Sequence, residues 1–205
     1  MILLDAGHGG YIEGVTQTPG RGIYGERSSF SEGQYNRMIV NMIAFNLSTL
    51  NIPFHIIAPE NYDTPLFARV DWVNEIASKY GPVNCFLLSV HQNGFENPSV
   101  KGFELFTSFG ETQSDRYAEY MAERFETRFP DRQKRWYVIG SKRAKEANFK
   151  ILRSTKCPAV LTEWGFMTNP QEKKYLLSRQ GIQDQSEFLS CICQDIQNKI
   201  TKNKL

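Results

Sequence analysis

Short apolar runs alternate with longer amphipathic stretches along this sequence, and that alternation constrains the fold more than any other feature. Five runs rich in Val, Ile, Leu and Phe are short enough for buried strands, at residues 2–6, 54–58, 85–91, 102–107 and 159–164. Strands that alternate with helices are typical of an α/β domain rather than of separate layers of one element type. The pattern therefore predicts an α/β fold with five or six strands.

Four amphipathic stretches predict helices at residues 33–50, 65–80, 114–128 and 183–200. The first helix begins just at Glu32, and Pro65 suits the first turn of the second. Residues 9–31 contain six glycines and one proline and have no apolar period, which predicts a long loop. Loops of that length are uncommon inside compact domains and are often functional.

Composition favours a single folded domain over residues 1–205. Apolar residues make up 40% of the chain, and a net charge of +2 gives no reason to expect a nucleic-acid partner. The four cysteines show neither a disulfide framework nor a zinc-ligand spacing, so we expect reduced thiols. The sequence starts with no secretion signal, and no apolar stretch has the length needed for membrane insertion.

Two of the three histidines end strand-like runs, His8 in LLDAGHGG and His91 in FLLSVHQNG. Ligands gather beyond the carboxyl ends of strands in open α/β sheets, so the two imidazoles can converge on one ion. A catalytic zinc site commonly adds one carboxylate and keeps one position open, and Glu32 is the candidate. The alternatives are two hydrogen-bonded packing histidines and a helix-start acid that complements the macrodipole. His55 has no partner in view and is read as structural.

Glu163 lies in PAVLTEWGF, at the end of a third apolar strand. A charged residue there is costly unless it is paired or used chemically. As a general base it would take a proton from a water that attacks a carbonyl and then deliver it to the leaving nitrogen. The alternative is a buried ion pair with Arg69 or Arg153.

Four motifs in order resemble those of the zinc-dependent N-acetylmuramoyl-L-alanine amidases of the amidase-3 family: LLDAGHGG, SEGQYNR, SVHQNG and LTEWGFMTNP. The resemblance spans nearly the whole chain and implies a phosphorylase/hydrolase-like fold, with a mostly parallel (mixed) six-stranded sheet flanked by helices. It implies one Zn²⁺ held by His8, Glu32 and His91, with Glu163 as the catalytic residue. The implied substrate is peptidoglycan, cut between the lactyl carbonyl of N-acetylmuramic acid and L-alanine.

The same resemblance assigns Arg69 and Asn93 to substrate binding, because they fall where the family carries polar groups near the site. Long loops at sheet ends are where binding residues concentrate, so four residues of the segment 9–31 are candidate contacts: Tyr11, Arg21, Tyr24 and Arg27. The alternative for this segment is a plain solvated loop. Two residues depart from the family pattern, since Gln92 replaces the usual alanine and Trp164 replaces a small residue. We expect both departures to reshape which stem peptide is accepted.

The sequence alone leaves several alternatives for the function open. The chain could be an endolysin-like enzyme held in the cytoplasm until release, or a wall-remodelling enzyme exported by another route. It could instead be a zinc peptidase that acts within the stem peptide, or a wall-binding module without turnover. The stretch after His91 is too short for the inhibitory helix of some relatives, so we expect an enzyme that is active without a partner. We also expect a monomer.

Overall fold

The computed structural model describes residues 1–23, 30–136 and 142–202. Its centre is a six-stranded sheet formed by β1 (Ile2–Ala6), β6 (Phe54–Ile57), β7 (Phe86–Asn93), β8 (Glu104–Thr107), β9 (Lys145–Glu146) and β10 (Ala159–Phe166), in the order β6-β1-β7-β10-β8-β9. Neighbouring strands are parallel except β10 and β8, which are antiparallel. The predicted α/β class and the mostly parallel mixed sheet are confirmed.

Helices cover both faces of the sheet. They are α1 (Glu32–Thr49), α2 (Leu66–Tyr80), α3 (Gln113–Arg128), α4 (Lys150–Arg153), α5 (Pro170–Leu176) and α6 (Arg179–Thr201). The buried apolar residues of α1, α3 and α6 belong to the larger core on one face. The buried apolar residues of α2 and α4 belong to a smaller core on the other face. No described helix is both long and apolar enough to cross a membrane.

Local sequence explains where the main elements start. Ser31 caps α1, because its hydroxyl accepts a hydrogen bond from the backbone N–H of Gln34, and Glu32 is the first helical residue as predicted. α6 begins four residues before the predicted start, because Ser178 caps it by accepting from Gly181. α5 and β9 were not predicted, since seven and two residues are too few for a clear period.

The segment predicted as a plain loop contains regular structure, so that prediction was incomplete. β2 (Tyr11–Ile12) pairs with β3 (Val15–Thr16), and β4 (Gly22–Ile23) pairs with β5 (Phe30–Ser31), both antiparallel. Thr18 fixes the segment to the turn before α2, since its hydroxyl accepts from Gly9 N–H and donates to Asp63 at 2.7 Å. Residues 94–103, which follow β7, contain no helix, in agreement with the sequence.

Candidate metal centre

His8, Glu32 and His91 meet at the carboxyl edge of the sheet. His8 follows β1, His91 lies in β7, and these two strands are parallel neighbours, so their carboxyl ends coincide. Glu32 Oε2 lies 3.3 Å from His8 Nε2, and Glu32 Oε1 lies 3.0 Å from His91 Nδ1. The potential ligand atoms of the three residues all lie within 4.8 Å of one another. The structure thus brings together the three residues that the sequence singled out as metal ligands.

Two glycines allow the three segments to approach this closely. A Cβ atom on Gly7 would lie 2.1 Å from Cε1 of His91, so any side chain there would displace the imidazole. A Cβ atom on Gly33 would lie 1.8 Å from the carbonyl oxygen of Gly9, so the start of α1 could not dock beside His8. The glycines in the motifs DAGHGG and SEG are therefore requirements of the cluster itself.

Charge in the cluster is shared between Glu32 and the imidazoles. Burial opposes the charge of Glu32, but hydrogen bonds with His8 and His91 outweigh burial and lower the pKa of the carboxyl below its usual range. Burial also opposes charge on His91, yet the hydrogen bond and negative charge of Glu32 raise its pKa. Two imidazoles and one carboxylate form the donor set of many catalytic zinc sites, so these residues fit Zn²⁺ by geometry and chemistry.

Glu163 lies beside this cluster. It lies on β10 directly opposite His91 of β7, and both side chains line the same cleft of about 550 Å³. Among the described residues no partner hydrogen-bonds to its buried Oε2, and no ion pair includes it. Burial raises the pKa of its carboxyl to about 8. The ion pair considered as an alternative is absent from the described part of the chain, which leaves Oε2 available for chemistry in the cleft.

Arg69 lines the cleft, but its guanidinium is occupied by the protein. Its side chain is 2% exposed and pairs with Asp5 at 2.7 Å. It also donates to the backbone oxygens of Thr64, Ala6 and His8. These contacts favour a positioning role for Arg69 over the predicted contact with substrate.

Asn93 is likewise held by neighbouring residues. Its Nδ2 donates to Glu104 at 2.7 Å, and its Oδ1 accepts from the N–H of Gly94. Glu104 also accepts from Arg135 and Lys145, both at 2.6 Å. Asn93 therefore helps to order a buried carboxylate on the strand next to Glu163, which favours a supporting role over direct recognition.

The walls of the cleft include residues that sequence reasoning missed. Arg21 lies on one side, as the loop prediction expected, and Leu66, Phe149 and Lys150 are among the other lining residues. Phe149 is partly exposed and contacts the ring of Phe106. The segment before α4 shows no periodic pattern that could have marked these positions. Tyr11 is not part of the lining, and the predicted contacts Tyr24 and Arg27 lie outside the described residues.

The two departures from the family pattern do not face the cleft, and this placement gives no support to the prediction that they reshape substrate choice. Gln92 is 1% exposed and its amide donates to Asn36 and Gln185, behind the sheet. Trp164 is fully buried and packs against the ring of Phe188 on α6. Side chains alternate between the faces of a strand, so each residue points away from the functional residue that precedes it.

A cation-binding cluster beside a carboxyl group whose pKa is raised, both at the carboxyl ends of parallel strands, is the arrangement of a metallohydrolase. The chain belongs to the N-acetylmuramoyl-L-alanine amidase family, whose family model matches residues 2–198. Membership makes it an amidase that acts on peptidoglycan.

Individual relatives agree with this assignment. The chain is 26% identical to N-acetylmuramoyl-L-alanine amidase AmiA of Salmonella typhimurium over an alignment of 217 positions, gaps included. The alignment covers 86% of this chain and 68% of that protein. An N-acetylmuramoyl-L-alanine amidase structure from Clostridium difficile 630 has a TM-score of 0.76 at 22% identity, covering 98% and 96% of the two chains. The amidase AmiC2 of Nostoc punctiforme has a TM-score of 0.73 at 22% identity, covering 95% and 94%. At these identities the two structures show a shared fold.

Proposed function

We propose that this chain is a zinc-dependent amidase that separates the lactyl carbonyl of N-acetylmuramic acid from the L-alanine of the stem peptide. The proposal rests on one observation above all: Glu163, whose Oε2 has no hydrogen-bond partner among the described residues, lines the same cleft as His8 and His91, the two imidazoles that meet at Glu32. Residues 1–205 then form one catalytic unit, which acts as a monomer in lysis or remodelling of the cell wall.

The cluster would hold the metal through one nitrogen of each imidazole and the carboxylate of Glu32. Position at the first turn of α1 favours the ionised form of Glu32, because the helix dipole is positive there. When bound, Zn²⁺ supplies Lewis acidity that polarises a carbonyl and makes water more acidic. Glu32 lies 3.3 Å from the ring nitrogen of His8 and 3.0 Å from that of His91, so the three donor groups are close enough to share one ion.

Glu163 would move the proton during hydrolysis. Its Oε2 accepts a proton from the attacking water, whose oxygen forms the new bond to the lactyl carbon. The carbon–nitrogen bond then breaks, and the same carboxyl returns the proton to the amine of L-alanine. A raised pKa suits both steps, since general acid–base catalysis is most effective when the pKa lies near the working pH. A divalent cation nearby would lower that pKa and favour the ionised base at the start.

Digestion of defined muropeptides by the zinc-loaded chain, followed by mass spectrometry, tests the bond that is cut. We expect sugar chains whose N-acetylmuramic acid residues carry a free lactyl carboxylate, together with intact stem peptides that begin with L-alanine. Products in which sugar and L-alanine stay joined while the peptide is shortened would identify a peptidase instead.

Metal analysis of the purified protein tests the zinc requirement in parallel. We expect about one zinc per chain and loss of turnover when a chelator removes it, with recovery when Zn²⁺ is returned. Wall binding without products in either preparation would identify a non-catalytic binding module.

A further inference from the structure

We propose that Arg37 and Arg69 are positioning residues that hold the backbone of His8 in the conformation needed for metal binding. The inference rests on the proposed function, because it assigns a purpose to the geometry of one proposed zinc ligand. Arg37 comes from α1 and Arg69 from α2, which pack on opposite faces of the sheet. Their guanidinium groups meet at a single atom, the carbonyl oxygen of His8.

His8 has a backbone conformation that residues with a side chain rarely adopt. Its φ angle is +65°, in the left-handed region where Cβ crowds the backbone. Such conformations persist only where the surroundings impose them, and they concentrate at functional sites. Rotation of His8 to an ordinary negative φ would redirect its imidazole away from Oε2 of Glu32. The left-handed backbone is thus part of how the cluster is assembled.

The contacts that impose this conformation are short and buried. Arg37 Nη1 donates to the His8 carbonyl at 2.5 Å, and Arg69 Nη2 donates to it at 3.1 Å. Arg37 is 5% exposed and Arg69 is 1% exposed, so neither bond competes freely with water. Two charged donors on one carbonyl make stronger hydrogen bonds than neutral donors would. Both bonds require the His8 carbonyl to point at the guanidinium groups.

Each guanidinium is itself fixed by further bonds. Arg69 donates to Asp5 at 2.7 Å and to the oxygen of Ala6 at 2.6 Å, and Asp5 accepts from Ser89 at 2.6 Å. Arg37 donates to the oxygen of Glu60 at 2.8 Å and to that of Gly33 at 3.1 Å. Through these hydrogen bonds, β1, β7 and the starts of both helices together determine the position of one proposed metal ligand. We call the two arginines and their shared carbonyl the His8 clamp.

Zinc affinity compared with fold stability tests the His8 clamp. The zinc-loaded chain is titrated with a chromophoric chelator, and its thermal unfolding is followed separately. Arg37→Met removes one arm of the clamp. The double variant Asp5→Asn, Arg69→Met removes the other arm without leaving a buried carboxylate unpaired, which Arg69→Met alone would do. Ile196→Ala, in the fully buried core of α6, is the control for a loss of stability alone.

We expect the zinc dissociation constant of each clamp variant to rise by roughly 10- to 100-fold, the usual effect of losing a group that orients a metal ligand. Ile196→Ala should lower the unfolding temperature at least as much as the clamp variants do. Its zinc affinity should equal that of the wild type at temperatures where the chain is folded. Clamp variants that bind zinc as tightly as the wild type would overturn the clamp. A wild-type chain that binds no zinc would instead overturn the proposed function on which it rests.

Discussion

The two faces of the sheet differ sharply at its carboxyl edge, although the same strands form both. On the cleft face, Glu163 lines the cavity beside His91, and one of its carboxylate oxygens has no hydrogen-bond partner in the part of the chain that the structure describes. On the other face, one residue further along the chain, Trp164 is fully buried among aromatic rings of α3 and α6. A single step along β10 therefore separates a residue available for chemistry from one engaged in packing.

The same division holds on β7. His91 reaches Glu32 at 3.0 Å, whereas the side chain of Gln92 lies behind the sheet with Asn36 and Gln185. The difference teaches that closeness in sequence to a catalytic residue says little about closeness to substrate in a strand. The face of the sheet on which a side chain lies determines whether it can reach the cleft, so substitutions on the two faces should have different consequences.

Glu163→Gln should have the largest effect, and only on chemistry. An amide cannot accept the proton from water, so we expect turnover of muropeptides to fall roughly 100- to 10,000-fold. Zinc content should not change, because Glu163 is not one of the clustered ligands. Glu146→Gln, a partly exposed residue paired with Lys142, serves as the matched control and should keep full activity. Full activity of Glu163→Gln would remove the assigned division between the two faces.

Trp164→Ala should act through stability instead. Its ring lies 5.4 to 5.6 Å from those of Phe103, Phe125, Phe129 and Phe188, and truncation leaves a large cavity among them. Loss of a buried Trp side chain costs about 3–5 kcal/mol, to be measured by urea unfolding. Turnover per folded molecule at low temperature should stay close to that of the wild type. Trp164→Phe should cost less, because the buried indole nitrogen has no hydrogen-bond partner among the described residues. A selective loss of turnover in a stable Trp164→Ala protein would contradict this assignment.

The pH dependence of stability gives a smaller effect that belongs to the cleft face. Burial raises the pKa of Glu163 from 4.5 to about 8, so the metal-free folded chain holds a proton that the unfolded chain releases between those values. The free energy of unfolding must then fall as pH rises through that range. Metal-free Glu163→Gln lacks this proton, so its stability relative to the wild type should increase from low to high pH. Denaturant unfolding at several pH values measures the difference.

Titrating groups that do not interact with Glu163 cancel in that comparison, whereas His91 does not, because the negative charge of Glu163 contributes to its raised pKa. Trp164→Ala should show the same pH dependence as the wild type, displaced to lower stability. A constant difference between Glu163→Gln and the wild type at all pH values would show that the Glu163 pKa is not raised.

Gln92→Ala should have the smallest effect. The hydrogen bonds that its side-chain Nε2 donates to Asn36 and Gln185 are long, at 3.4 and 3.5 Å. Its Oε1 has no hydrogen-bond partner in the described part of the chain. We expect stability to change by no more than about 1 kcal/mol, because a buried amide with incomplete hydrogen bonding contributes little. Relative rates on muropeptides with different stem peptides should be unchanged. A shift in that preference would place Gln92 in contact with substrate.

Sequence reasoning predicted the α/β class, most of the long elements and the residues of the metal cluster. The apolar runs and the placement of His8, His91 and Glu163 at strand ends carried enough information for that. It assigned Arg69 to substrate because it could not show that Asp5 and three backbone oxygens occupy the guanidinium. Such contacts join residues up to 64 positions apart and leave no local pattern.

Most residues that line the cleft could not be predicted from the sequence either. Phe149 and Lys150 reach it from a short segment whose position depends on the whole sheet. Gln92 and Trp164 were misplaced for a different reason, since their neighbours in sequence were known and the face of the strand was not considered. Alternation along a strand would have corrected that reading without a structure.

The position of β10 in the sheet also bears on when the proposed chemistry could begin during synthesis of the chain. β10 lies between β7 and β8, two strands that leave the ribosome earlier. A nascent chain that has emerged only as far as α4 already contains His8, Glu32 and His91, but its sheet still lacks the strand that joins its two halves. Glu163 is part of that strand, so in the proposed mechanism the general base is in place only when the last gap in the sheet has closed.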